Sequence, residues 1–212
     1  MPLSEAVVFI VDDDALIRDS LEQLVKSVGL MVETFSSAQD FLDYKLSDIP
    51  CCLVLDIRMP GMSGLDLQDK LEKRTDFDIP IIFITGHGTV PMSVRAMKSG
   101  AIDFIQKPFE DQQLLDVIHH AIEDNKHKRQ DQSEKQHILK CLSSLTPREN
   151  EILALVVAGK LNKQIAHELS MSENTVKTHR ARIMRKMEVD SLAGLVRSTE
   201  KSGVVFPNNS LH

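Results

Sequence analysis

Val7-Val8-Phe9-Ile10-Val11 runs straight into Asp12-Asp13-Asp14, five apolar residues followed without a break by three acids. Four more short apolar runs follow, at Met31 to Phe35, Cys52 to Leu55, Ile81 to Thr85 and Ala101 to Ile105. Between them lie longer segments with helical spacing, such as Leu16, Leu21, Leu24, Val25 and Val28. Alternation of this kind is the β-α-β-α order of a parallel sheet. Three of the runs are nearly continuous in apolar residues, as parallel strands covered by helices on both faces require. Pro50 and Pro80 stand just before two runs, where no ladder donor is needed. The first half therefore reads as an α/β unit with a five-stranded, doubly wound parallel sheet.

A change of character follows. From Glu123 to His137 no side chain is aliphatic or aromatic apart from imidazole. The segment is either a linker or the solvated end of a long fifth helix. Thr146-Pro147-Arg148-Glu149 then opens a new unit, with Thr146 as N-cap, Pro147 at the first helical position and Glu149 completing a capping box. Four short helices are expected there, at Pro147 to Ala158, Lys163 to Ser170, Glu173 to Met187 and Leu192 to Ser202, with Pro207 to His212 as a loose tail. The domain reading is 1–122, a helical linker over 123–140, and 141–212.

The chain has 212 residues, 42% hydrophobic and 26% charged, which excludes wholesale disorder. No apolar run approaches the ~20 residues of a membrane span, and Met1 to Glu5 lacks the pattern of an export leader. Cys51 and Cys52 are neighbours and Cys141 stands alone, an arrangement unsuited to a disulfide framework or a four-ligand zinc site. A reducing cytoplasm is the expected setting. The net charge of −6 hides a division: residues 1–122 carry 10 Lys and Arg against 20 Asp and Glu, and residues 123–212 carry 15 against 11. Cations or phosphate chemistry suit the first part, a polyanion the second.

In an open parallel sheet, sites form beyond the carboxyl ends of the strands. Those ends supply Asp12, Asp13 and Asp14 after the first run, Asp56 after the third, Thr85 on the fourth and Lys107 after the fifth. Asp14, directly before a helix, is expected to cap it. Acids about 4 Å apart repel by about 4 kcal/mol per pair at an effective dielectric near 20, so the cluster needs a cation. Oxygen donors favour Mg²⁺, with Mn²⁺ in its place, over zinc. His87, in a Gly-flanked loop, is given no ligand or acid-base role.

Four segments together, Val11-Asp12-Asp13, Leu55 to Gly64, Ile84 to Gly88 and Asp103 to Phe109, resemble the receiver of two-component response regulators, specifically the FixJ branch of the NarL/FixJ family. The resemblance covers about residues 6–122 and implies a flavodoxin-like fold. It implies that Asp56 accepts a phosphoryl group from a sensor histidine kinase. Asp12, Asp13, Asp56 and the backbone carbonyl of Arg58 would hold Mg²⁺. Lys107 would pair with the phosphoryl group, and Thr85 and Phe104 would act as the switch. The Lys107-Pro108 bond is expected to be cis. A phosphatase with an aspartyl nucleophile is the enzyme alternative, but it needs a second acid two residues after the nucleophile, and that place holds Arg58.

In the second half, residues 160–186 carry seven Lys and Arg against two Glu, five of the bases on one expected helix. Val176, Ile183 and Met187 recur with spacings of seven and four, leaving Lys177, Thr178, Arg180, Ala181 and Arg185 on another arc. Ser170-Met171-Ser172 supplies the turn of a helix-turn-helix. Leu145 to Leu195 is similar to the LuxR-type domain that closes the same family. That similarity sends the helix from Glu173 into the major groove of a double-stranded DNA operator, with Thr175 among the contact positions and Lys177 and Thr178 at base edges. Lys163, Arg180, Arg182 and Arg185 would meet phosphates, while Ala181 offers only a methyl group. Asn162 is expected to cap the helix that follows it, and His179 to pack or touch phosphate. The implied function is a regulator that dimerises when phosphorylated, through a surface near Ala96, Met97, Ala101 and Ile102, binds DNA and addresses RNA polymerase. An adaptor for protein or RNA is the alternative for the C-terminal helices.

Overall fold

The computed structural model describes residues 6–46, 48–74, 78–86 and 88–204. Met1 to Glu5, His87 and the tail from Pro207 lie outside the described residues. The chain divides into two compact units, Met1–Arg129 and Gln130–His212.

The first unit is built on β1 (Val7–Val11), β2 (Met31–Phe35), β3 (Cys51–Asp56), β4 (Ile81–Thr85) and β5 (Asp103–Gln106). All are parallel, in the order β2-β1-β3-β4-β5. Helices α1 (Ala15–Ser27), α2 (Ala38–Asp43), α3 (Gly64–Glu72), α4 (Val90–Lys98) and α5 (Asp111–Ser143) connect and follow them. The apolar strands split by parity, as side chains of period two must. Val7, Phe9, Val11, Leu53, Leu55 and Phe83 join one core with Phe41, Leu67, Leu71 and Ala96. Val8, Ile10, Val54, Ile82 and Ile84 join the other with Leu21, Val25, Leu114 and Ile118. The fifth strand starts two residues later than expected, and Ala101 is buried ahead of it.

Register sets the site. Val11 pairs with Leu55, Asp56 with Ile84, and Thr85 with Gln106, so the carboxyl ends of β1, β3, β4 and β5 lie nearly level. Two tight approaches hold the frame there. Gly64 opens α3 against the Asp56 backbone so closely that a Cβ would stand 2.2 Å from the Asp56 carbonyl oxygen. Gln68, buried in α3, donates to the carbonyls of Ala96 and Ser99 at 3.1 and 2.8 Å and so ties α3 to the end of α4.

Helix α5 runs unbroken through Glu123 to His137. Asn125, 0% exposed, explains why its polar stretch packs: Oδ1 accepts from the Cys51 amide at 3.1 Å and Nδ2 donates to the Asp78 carbonyl at 2.8 Å. A buried amide with both ends satisfied costs little, but its removal orphans two backbone groups.

The second unit holds the end of α5 with α6 (Pro147–Val157), α7 (Asn162–Glu168), α8 (Glu173–Lys186) and α9 (Leu192–Ser202). Ile138, Leu142, Ile152, Leu153, Ile165, Val176, Ile183, Met187 and Leu195 form its core, including the three residues picked out by spacing, Val176 and Ile183 in α8 and Met187 capping its end. The Thr146/Glu149 capping box is present. Glu149 also accepts from Lys186 Nζ at 2.7 Å; that ammonium and the Thr146 amide hold its carboxyl down from 4.5 to about 2. Asn162 does not cap α7. Leu161 holds the N-cap place, its amide donating to Gln164 Oε1 at 2.8 Å, and Asn162 Oδ1 accepts from Arg180 Nη1 at 2.8 Å. Among the described residues, no helix is long and apolar enough to cross a membrane.

Replacing Asn125 with Ala should lower the stability of the first unit by about 1 to 3 kcal/mol, read as earlier loss of β3 amide protection in hydrogen exchange. Because Glu149 has a depressed pKa in the fold, its contribution is complete above its ordinary range and is lost as pH falls from about 4.5 to about 2. Glu149→Gln should cost about 1.5 to 3 kcal/mol at neutral pH and flatten the acid-side loss of α6 protection.

Candidate functional site

Asp12 and Asp56 are 1% and 7% exposed, each the first carboxylate at the end of a buried strand. Lys107 Nζ donates to both, to Asp12 Oδ2 at 2.8 Å and to Asp56 Oδ1 at 3.0 Å. The lysine comes from the residue after β5, where its amide donates to the Thr85 carbonyl at 2.8 Å. The bond that follows it, Lys107-Pro108, is cis.

The remaining oxygens are also directed. Asp12 Oδ1 accepts from the Asp14 amide at 2.9 Å, and the Asp12 carbonyl accepts from Arg18 Nη1 at 2.7 Å. Asp56 Oδ2 accepts from the Arg58 amide at 2.6 Å. Asp14 caps α1, accepting from the amides of Leu16 and Ile17. Asp13 and Arg58 are exposed beside the pair.

Burial raises the Asp56 pKa, and the neighbouring Asp12 charge adds to this, against the pull of Lys107 and the Arg58 amide. For Lys107, burial opposes the charge, but the bonds to Asp12 and Asp56 outweigh it and the ammonium is stabilised. One ammonium thus bridges two buried carboxylates, with the exposed carboxylate of Asp13 next in the chain, and the site is a set of oxygen donors. Such a set fits a hard divalent cation.

Thr85, 1% exposed, ends β4 one step beyond the residue paired with Asp56. Phe104 is half-buried against the core beneath. Gly88 lies between them: a Cβ there would stand 2.8 Å from Phe104 Cε1 and 3.1 Å from Thr85 Cγ2. The bare backbone at Gly88 leaves the ring the space it occupies.

On the second unit, Lys163, Thr175, Lys177, Thr178, Ala181, Arg182 and Arg185 are all exposed. Ser172 caps α8 by accepting from the Thr175 amide, and the Thr178 hydroxyl donates to the Asn174 carbonyl at 3.0 Å. Arg180 is half-buried on Asn162, and Lys186 is committed to Glu149 and the Ser144 carbonyl, so both serve the fold. Lys160 pairs with Glu168. His179 is half-buried, its Nδ1 without a hydrogen-bond partner among the described residues. Four of the seven bases, Lys163, Lys177, Arg182 and Arg185, are left on the surface as a cationic face.

Residues 8–119 match the family model described as response regulator receiver domain, and residues 143–199 match that of bacterial regulatory proteins, luxR family. Nodulation protein W of Bradyrhizobium diazoefficiens is 48% identical over 95% of this chain and 88% of its own length. Transcriptional regulatory protein FixJ of Rhizobium meliloti is 42% identical over 95% and 98%. Among solved structures, response regulator StyR is 50% identical with a TM-score of 0.86, covering 93% of this chain and 99% of that one. Full-length FixJ from B. japonicum is 40% identical with a TM-score of 0.57, covering 94% and 98%. The chain belongs to the FixJ branch of the NarL/FixJ response regulators, transcription regulators that join a receiver to a LuxR-type DNA-binding domain.

Proposed function

We propose that Asp56 accepts a phosphoryl group from the phosphohistidine of a partner sensor kinase, and that this event controls DNA binding by α8. The observation that carries the reading is Lys107 Nζ bridging two buried carboxylates at the level ends of β1 and β3. An Asp56 oxygen attacks phosphorus, the bond to the kinase nitrogen breaks, and an acyl phosphate forms on Asp56. Lys107 changes partner from carboxylate to phosphoryl oxygen without moving far, since it already touches Asp56. Asp12, Asp13, Asp56 and the Arg58 carbonyl are the residues to hold Mg²⁺, or Mn²⁺ in its place. When bound, such an ion neutralises the charge of the transferring group.

Thr85 directs its hydroxyl to a phosphoryl oxygen, and Phe104 turns into the room Thr85 vacates past Gly88. A local charge event is thereby converted into a change of surface. Residues 1–122 form the receiver, 123–140 a helical connector and 141–212 the DNA-binding part. Phosphorylated copies pair as dimers. Within the expected pairing region, Ala96 and Ala101 are buried and serve the core, so Val90, Val94 and Met97, all exposed on α4, are the apolar residues available.

In the C-terminal domain, Lys177, Thr178, Thr175 and Ala181 face bases. Lys163, Arg182 and Arg185 meet phosphates, and Arg180 supports α8 from Asn162. A cytoplasmic protein that recruits RNA polymerase at an operator fits this chemistry. No turnover chemistry is assigned beyond slow loss of its own phosphoryl group to water.

Phosphorylation by acetyl phosphate should tighten operator binding about 5- to 150-fold in a gel-shift titration, the range of ordinary coupling free energies, with dimers appearing in sedimentation. Equal affinity and an unchanged oligomer in both states would reject the coupling. Thr85→Ala should still take up label yet gain little affinity. Removing Arg182 or Arg185 should reduce the slope of log affinity against log salt by about 0.9 each, whereas Lys177→Ala should also relax base preference, by about 1 to 3 kcal/mol.

A further inference from the structure

The C-terminal unit holds a second group of ligating atoms that DNA contact does not use. His137 and Cys141 stand one turn apart near the end of α5, on one face of the helix. Glu188 follows α8. His137 Nε2 lies 3.2 Å from Glu188 Oε2 and 3.7 Å from Cys141 Sγ, and all three atoms fall within 4.8 Å of one another. Around a tetrahedral zinc ion, with bonds of about 2.3 Å to sulfur and about 2.0 to 2.2 Å to nitrogen and oxygen, adjacent ligand atoms sit about 3.3 to 3.6 Å apart. The two spacings from His137 Nε2 lie within a few tenths of an ångström of that, and the Cys141 and Glu188 atoms, within 4.8 Å of each other, draw together as an ion binds.

The backbone sets how Glu188 reaches the other two. Glu188 has φ +54°, the left-handed conformation that a helix end ordinarily gives to glycine. A side chain held there is strained, and such strain persists where the surroundings require the residue. The conformation closes α8, with the Glu188 amide donating to the Arg185 carbonyl and the Val189 amide to the Met184 carbonyl, and in closing it the chain brings the carboxylate to His137. Cys141 is 8% exposed, while His137 and Glu188 are open, so an ion has an entry path and solvent supplies a further ligand.

We propose that His137 Nε2, Cys141 Sγ and a Glu188 carboxylate oxygen form a Zn²⁺ site joining the end of α5 to the segment between α8 and α9. The thiol proton passes to solvent as the metal–sulfur bond forms. A thiolate and an imidazole select zinc over magnesium, so the site is chemically separate from the carboxylates around Asp56.

Cobalt, which reports thiolate ligation by a near-ultraviolet charge-transfer band, is the probe to use on the full chain with magnesium in excess. The band should saturate at one equivalent and vanish on adding zinc. Cys51 and Cys52 are buried in the receiver, so they contribute nothing to it. Competition with a chromophoric chelator should show zinc affinity reduced more than about 100-fold in His137→Ala and Glu188→Gln, above the loss typical of residues that merely support ligands. Glu188→Gly, which relieves the left-handed strain, should raise metal-free thermal stability while losing the affinity. Absence of the cobalt band in the wild type, or zinc affinity unchanged in Glu188→Gln and Glu188→Gly, would overturn the proposal.

Discussion

A single ammonium, that of Lys107, sits between two carboxylates that the sheet buries, and the rest of the receiver is arranged to keep it there. Asp12 and Asp56 unshielded would repel by about 4 kcal/mol at 4 Å and an effective dielectric near 20. Lys107 offsets that for one negative charge, not two, and exposed Asp13 adds a third carboxylate. The site is therefore stable enough to fold while keeping carboxylate oxygens gathered at one edge of the sheet. An acidic edge with one lysine is poised for a divalent cation and for the oxygens of a phosphoryl group.

Geometry of this kind depends on backbone more than on side chains. The level strand ends follow from the pairing of Val11 with Leu55, Asp56 with Ile84 and Thr85 with Gln106. A one-residue slip would turn each of these side chains to the other face. The absent side chain of Gly64 lets α3 close on the Asp56 carbonyl, and the Arg58 amide fixes the second Asp56 oxygen. In the other unit the capping box of α6 is reused, since the Glu149 carboxylate that completes it also anchors Lys186 of α8. Basic residues on that helix thus divide between holding it in place and facing outward.

Much of this was legible in residue order. Short apolar runs ending at or just before Asp12, Asp56, Thr85 and Lys107 marked both the parallel sheet and the edge where its polar groups gather, because strand ends lie together on one side of such a sheet. The Val176, Ile183 and Met187 spacing marked the buried face of α8. What escaped the sequence depended on contacts between distant residues. Nothing local distinguishes Asn125, inside a polar stretch, from its solvated neighbours; only the Cys51 amide and Asp78 carbonyl do. Asn162 looked like a cap because Asn caps often, yet α7 starts at Asn162 itself with Leu161 in the capping place, and Arg180 claimed the Asn side chain. Ala96 and Ala101 were placed near a pairing surface by the family resemblance, yet both are buried, and Gln68 bonds to the Ala96 carbonyl. Glu188 lies too far along the chain from His137 and Cys141 for any spacing rule to group them.

The account stands on Asp56 being the atom source for the phosphoryl bond. Mass-spectrometric localisation of the modification, after exposing the full chain to a phosphorylated donor with Mg²⁺, tests this most directly. The account predicts a single labile aspartyl phosphate on Asp56 and none on Asp56→Asn protein. Label on Asp12 or Asp13, or uptake by Asp56→Asn at the unaltered rate, would contradict it.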